Sequence, residues 1–216
     1  KTSTDRRFVL MRGISGSGKS TLASRIMQAR NDSVICGADM FFHSNDTYIF
    51  NPQLLPQAHA ACLGDVLAGM VSNASLIVVD NTHTRHWEYE NYLKLAQMSG
   101  YIPYVVEVEC NDSGLAHILG KRARHGVSIH GIQAMRIRWE GSGSSDLCVS
   151  ESISVLAVPP FLTDREITEY AYRRYNSARY RFANSTLNAT YKSTSALEHQ
   201  PGITVSNGSV GNISVL

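Results

Sequence analysis

An α/β fold, with a mainly parallel sheet between two helical layers, is predicted for this 216-residue chain by two observations. Short apolar runs alternate with helix-forming stretches through residues 1–140, the pattern of strands joined by crossover helices. Between the first run and the first helix lies Gly13-Ile14-Ser15-Gly16-Ser17-Gly18-Lys19-Ser20, a G-x-x-x-x-G-K-[ST] loop with a strand before it and a helix after it.

The strands are expected at Phe8–Arg12, Ser33–Cys36, Leu76–Asp80 and Ile102–Val108. The first helix opens at Lys19 and runs to about Arg30. Asn51 caps and Pro52 opens a long helix whose apolar positions Leu55, Ala58, Cys62, Val66 and Met70 recur at helical spacing. Further helices fit Thr84–Met98, stopped by Gly100, then Ser113–Lys121 and Ile129–Glu140. At Gly141 the composition changes. Residues 1–140 are read as one domain, 141–150 as a Gly/Ser-rich linker or long turn, 151–184 as a small C-terminal extension packed on the core, and 185–216 as a low-complexity tail. The extension holds a strand over Ile153–Val158 and a helix over Asp164–Ala183. That helix interleaves Tyr170, Tyr172, Tyr175, Tyr180 and Phe182 with arginines, which fits either a base-stacking surface or, as the favoured reading, an amphipathic helix with wet arginines.

The glycine-rich loop carries chemistry because its residue types converge on phosphate. Glycines let backbone N–H groups approach phosphate oxygens, Lys19 reaches the β- and γ-phosphates, and the Ser20 hydroxyl ligates Mg²⁺. Gly13, Ser15, Gly16, Ser17, Gly18, Lys19, Ser20 and Thr21 are therefore expected to hold the nucleotide, ATP or alternatively GTP, with the positive end of the following helix dipole aimed at it. No N-K-x-D guanine signature occurs, and Leu76–Asp80 continues into Asn81-Thr82 where a hydrolase would place Asp-Glu. A phosphoryl-transferring kinase is favoured. Asp80, at the end of an apolar strand, is expected beside Mg²⁺ with Ser20, and Asp39, just past the second strand, suits a general base that takes a proton from an attacking hydroxyl. The cluster Lys121-Arg122-Ala123-Arg124 suits a segment that closes over the transferring phosphoryl, with Arg122 and Arg124 as its catalytic cations.

Composition sets the remaining bounds. A net charge of +2 is too small to announce a nucleic-acid binder by itself. Cys36, Cys62, Cys110 and Cys148 lack metal-ligand spacing and read as buried free thiols. No apolar run suggests a membrane span, and the sequons at Asn184, Asn188, Asn207 and Asn212 are expected to stay unused in an ATP-using cytoplasmic domain. A start at Lys1 without an initiator Met suggests part of a longer polypeptide.

Taken in order, Gly13–Ser20, Ala38-Asp39-Met40-Phe41-Phe42, Ala58-His59, Asp80-Asn81-Thr82, Trp87-Glu88, Gly100-Tyr101 and Arg122 through Val127 resemble the P-loop polynucleotide 5′-kinase family over about residues 6–140. That family includes the bacteriophage polynucleotide kinase, the kinase-like modules of Nedd-binding proteins and, more distantly, the N-terminal half of myelin cyclic-nucleotide phosphodiesterase. The resemblance implies a P-loop NTPase sandwich with an arginine-bearing lid. It further implies ATP- and Mg²⁺-dependent phosphorylation of a 5′-OH RNA or DNA end in repair or processing, alongside other end-processing activities. Asp39 falls on the general base, and the acceptor is expected to meet Asp39, Phe42, Thr82, Arg136 and Arg138. Phe42 stands where the bacteriophage enzyme has a second arginine, and His125 where the lid has another. A kinase of a small molecule and a weakly hydrolysing NTP-binding scaffold are the competing readings.

Overall fold

The computed structural model describes residues 5–44, 47–110, 112–123, 126–141 and 154–177. Two compact units divide the chain, Lys1–Ala171 and Tyr172–Leu216; the second is described only over 172–177, which are helical. In the first unit five strands, β1 (Arg7–Arg12), β2 (Ser33–Cys36), β5 (Leu76–Asp80), β6 (Ile102–Val108) and β7 (Ser154–Val158), form an all-parallel sheet in the order β2-β5-β1-β6-β7. β3 (His43–Ser44) and β4 (Thr47–Tyr48) make a small antiparallel hairpin that the sequence did not announce. The compact unit thus runs past the composition change at Gly141, because β7 continues the sheet alongside β6.

The predicted limits of β2, β5 and β6 coincide with those observed. Alternate residues of the central strands feed two cores, as a sheet covered on both faces requires. Phe8, Leu10, Ile77, Val79 and Val105 meet α2 (Leu55–Val71) and α3 (Glu90–Met98) through Cys62, Val66, Tyr92 and Leu93. Val9, Met11, Val78 and Val106 meet α1 (Lys19–Met27) through Ala23. A third cluster joins Ile14 of the glycine-rich loop to α4 (Ser113–Arg122) and α5 (Ile129–Ile137), with Leu162 and Tyr170 packed against it. Tyr170 is therefore an anchor on the core; Arg179, Tyr180, Arg181 and Phe182 lie outside the described residues.

Two expectations are revised. The predicted helix Thr84–Met98 starts later: Glu88 accepts from both the Thr84 N–H and its hydroxyl, closing a 3-10 turn at His86–Glu88 before α3 begins at Glu90. Pro52–Val71, read in sequence as no membrane span, is in fact long and apolar enough to cross one, with mean hydropathy 1.3. Its Ala58, Cys62, Val66, Gly69 and Met70 are buried, which is how a sheet-covering helix comes to be apolar. Cys36, Cys62 and Cys110 are free and buried, whereas Cys148 lies outside the described residues.

Candidate nucleotide and acceptor site

A cleft of about 1210 Å³ opens at the carboxyl ends of the strands, beside β1, where successive connections leave in opposite directions along the sheet. Its size exceeds that of an ordinary single-ligand pocket, leaving room for a donor and an acceptor. Ser15, Gly16, Gly18, Lys19, Ser20, Thr21, Asp39, Asp80 and Arg122 all line it. Gly13 and Ser17 build the loop from behind: the Gly13 N–H donates to the Thr82 carbonyl at 3.1 Å, and Ser17 is buried.

Gly16 is dictated by close approach. Its φ is +79°, and a Cβ there would lie 2.1 Å from the Leu119 carbonyl oxygen at the end of α4. Gly18, at φ +94°, caps α1 without a side-chain bond, leaving the helix's opening amides for an anion. Lys19 is only 9% exposed, and its ammonium lies 3.4 Å from the Ile14 carbonyl. Burial holds its pKa below the ordinary lysine value, opposed by the charges of Asp80 and Asp39.

Asp39 is exposed on a 3-10 turn, Ala38–Phe42, between β2 and β3. The turn is held from the next strand: Asn81 Oδ1 accepts from the Ala38 N–H at 2.8 Å, and its Nδ2 donates to Cys62 Sγ at 3.4 Å. The Tyr48 hydroxyl hydrogen-bonds to the Asp39 carboxylate; burial first, then the nearby Asp39 charge, pushes the Tyr48 pKa up to about 12. Asp80 Oδ1 is buried with no hydrogen-bond partner among the described residues, and Ser20 lines the same cleft. An unpartnered carboxylate oxygen in a residue that shares a cleft with the Ser20 hydroxyl and the phosphate loop fits Mg²⁺, which is commonly held by one or two carboxylates plus substrate phosphates. No group of three or more His, Cys, Asp or Glu side chains among the described residues forms a self-sufficient metal cage.

Arg122 reaches the cleft but is engaged by protein. Its Nε donates to the Gly16 carbonyl at 2.8 Å, and its Nη1 donates to the Phe161 carbonyl at 2.8 Å and to both Glu166 oxygens at 3.2 Å. Burial pushes the Glu166 pKa up, but bonds from the Thr163 N–H and hydroxyl together with the Arg122 charge outweigh it and hold the carboxyl below its usual value. Arg124 and His125 lie outside the described residues. Arg136 donates to Gln133 and Arg138 to Thr84; neither lines the cleft, nor do Phe42 and Thr82. Phe42 is 5% exposed and packs with Ala38, Ala58, Tyr48 and Leu55.

Sequence reasoning missed Arg12. It is fully buried at the end of β1, one residue before the loop, and pairs with Glu107 across the β1–β6 register at 2.8 Å. Its guanidinium also donates to the His83 and Glu140 carbonyls and lies over the Tyr89 and Trp139 rings at 4.8 and 4.6 Å. Opposite charges inside two apolar strands, Phe8–Arg12 and Ile102–Val108, were the available signal.

His83 beneath the loop is buried in a left-handed conformation, φ 45°, with Nδ1 donating to the Met11 carbonyl at 2.9 Å. Burial, reinforced by the positive charges of Arg12, His59 and Lys19, lowers its pKa to about 3 against the favourable Met11 contact. The unfolded chain takes up a proton near pH 6.5 that the folded chain refuses until about pH 3, so stability falls with pH through that window. Between pH 7 and 4.5 the loss attributable to this residue is expected to be about 2–3 kcal/mol. Urea denaturation of wild type and His83→Asn, a residue that tolerates left-handed backbone, checks it: the variant should show a flatter pH profile. Parallel profiles would remove His83 as the cause.

The profile of the AAA domain family matches residues 8–140. The chain belongs to that family. It is a P-loop kinase-like domain. Human NEDD4-binding protein 2 is 30% identical over 146 residues, which are 68% of this chain and 8% of that protein. The kinase-like domain thus spans a small fraction of that relative's length. Among solved structures, it is similar to a chain of the Pnkp1/Rnl/Hen1 RNA repair complex, with 16% identity, a TM-score of 0.48 and coverage of 64% of this chain and 45% of that one. It is also similar to a gluconokinase from Sinorhizobium meliloti, with 17% identity, a TM-score of 0.46 and coverage of 83% and 97%. P-loop kinases bind a nucleotide and Mg²⁺, for which the cleft has matching groups.

Proposed function

We propose that the domain is an ATP-dependent polynucleotide 5′-hydroxyl kinase acting on RNA or DNA ends in the cytoplasm. The observation that carries the reading is the meeting of the phosphate loop, Asp80 and Asp39 in one cleft large enough for two substrates. Lys19 and the opening amides of α1 would hold the β- and γ-phosphates, and Thr21 and Ser15 would wall the nucleotide. Ser20 and Asp80 would hold Mg²⁺, which when bound neutralises charge between the phosphates. Asp39 accepts the proton of the attacking 5′-hydroxyl, its carboxylate kept in place by Tyr48 and, through the turn, by Asn81. Arg122 reaches the moving phosphoryl by exchanging Glu166 for it. Arg124 is a second candidate for that charge, and Arg136 and Arg138 would serve the acceptor strand farther from the reacting atoms.

A small-molecule acceptor is the second reading, since a phosphate loop with a strand-end aspartate such as Asp39 serves small-molecule kinases equally well. Labelled ATP, offered with 5′-OH oligonucleotides and with nucleosides and sugars, separates the two. For an oligonucleotide the log of the apparent affinity should fall with log salt at about −0.7 per phosphate contacted. Equal use of a mononucleoside, with a flat salt response, would move the assignment to a small-molecule kinase.

A further inference from the structure

We propose that Phe41 and Phe50, in the aromatic cluster that the cleft residue His43 joins through Tyr48, form a stacking platform for the 5′-terminal base of a single-stranded acceptor; this rests on the polynucleotide reading above. Phe41 remains 43% exposed and Phe50 46%, although both belong to one aromatic cluster built on the buried Phe42. Their ring centroids lie 5.4 and 5.1 Å from that of Phe42, and Phe50 is stacked parallel to Tyr48 at 6.5 Å, 6° between planes. Phe42 therefore fixes two half-exposed rings that stand edge-on to it, at 87° and 63°, and each has a face for a base to stack on.

The occupant follows from the surroundings. Asp39, Met40 and His43 line the cleft, and the His43 ring packs on Tyr48 of the cluster with centroids 5.0 Å apart. Tyr48, against Phe50, hydrogen-bonds to Asp39, which brings the cluster to the carboxylate that receives the acceptor's hydroxyl. An acceptor whose 5′-oxygen sits at Asp39 carries its first base only one sugar away. The flanking side chains Met40 and Ile49 are also exposed and uncharged, at 45% and 67%. Such a surface suits a neutral planar base. Stacking is tolerant of base identity because every base has a π-face.

The test uses the wild-type chain and its Phe41→Ala, Phe50→Ala and Phe41→Trp variants. A 5′-OH oligonucleotide with 2-aminopurine at its 5′ end reports stacking by fluorescence quenching, and its phosphorylation gives KM and kcat. The matched oligonucleotide with an abasic 5′ residue serves as the second acceptor. Each alanine variant is expected to lose most of the quenching and to raise KM for the base-bearing acceptor about 5- to 150-fold. The KM for the abasic acceptor, the KM for ATP and kcat should change less than twofold, and Phe41→Trp should restore stacking. Unchanged quenching in the alanine variants would overturn the platform, as would equal losses for both acceptors. A wild-type self-association abolished by the same variants, without quenching, would overturn it in favour of an interface between copies. If wild type transfers phosphate to no oligonucleotide, the kinase reading fails; quenching that is present and lost in the alanine variants would still support a base-stacking surface.

Discussion

Asp39→Asn is expected to lower kcat by about 10²–10⁴-fold while ATP affinity and melting temperature stay near those of wild type. The amide is isosteric and can keep a partner in Tyr48, but it cannot take the proton of an attacking hydroxyl. The side chain is exposed at the cleft rim, so its loss should cost the fold little. Asp80→Asn should behave differently. Its Oδ1 is buried and unpartnered at the end of β5, where an amide would weaken a Mg²⁺ site and shift the metal requirement upward. Steady-state kinetics over a Mg²⁺ titration, run with thermal melts, separates the two aspartates. Near-normal turnover in Asp39→Asn would leave that residue as a turn-former only.

The second large effect is on stability. Glu107→Ala leaves the Arg12 guanidinium buried without its counter-charge and should cost about 3–5 kcal/mol. Glu107→Gln retains an acceptor for Arg12 and should cost less. Because Arg12 directly precedes Gly13, the alanine variant should also weaken nucleotide binding under conditions where it is still folded. Denaturant midpoints read the first effect and nucleotide titration the second. A loss below about 1 kcal/mol in Glu107→Ala would show that the cation–π contacts and backbone carbonyls suffice to hold Arg12.

The glycine-rich loop that lines the cleft was legible in the sequence because the motif consists of consecutive residues. Backbone amides at Gly16 and Gly18, the ammonium at Lys19 and the hydroxyl at Ser20 work within one turn, so their spacing is a local property. The limits of β2, β5 and β6 were legible for a similar reason: buried parallel strands are short apolar runs with polar ends. The surroundings of Asp39 were not. Asp39 could be named, but Tyr48 and Asn81, which hold it, reach it only through the hairpin and through the neighbouring strand β5.

Local sequence thus determined the glycine-rich loop and the strands behind it, and it singled out two aspartates that both line the cleft. Tertiary structure alone decided that Arg122 rests on Gly16 and Glu166, that Phe42 is interior while Phe41 and Phe50 face out, and that β7 from beyond Gly141 continues the sheet. It also placed Arg136 and Arg138 away from the cleft wall. The physical reason is common to all of these. An exposed arginine or half-buried ring has many partners of similar free energy, and which one it takes depends on residues brought near by the crossing of the sheet, 44 positions away for Arg122 and Glu166.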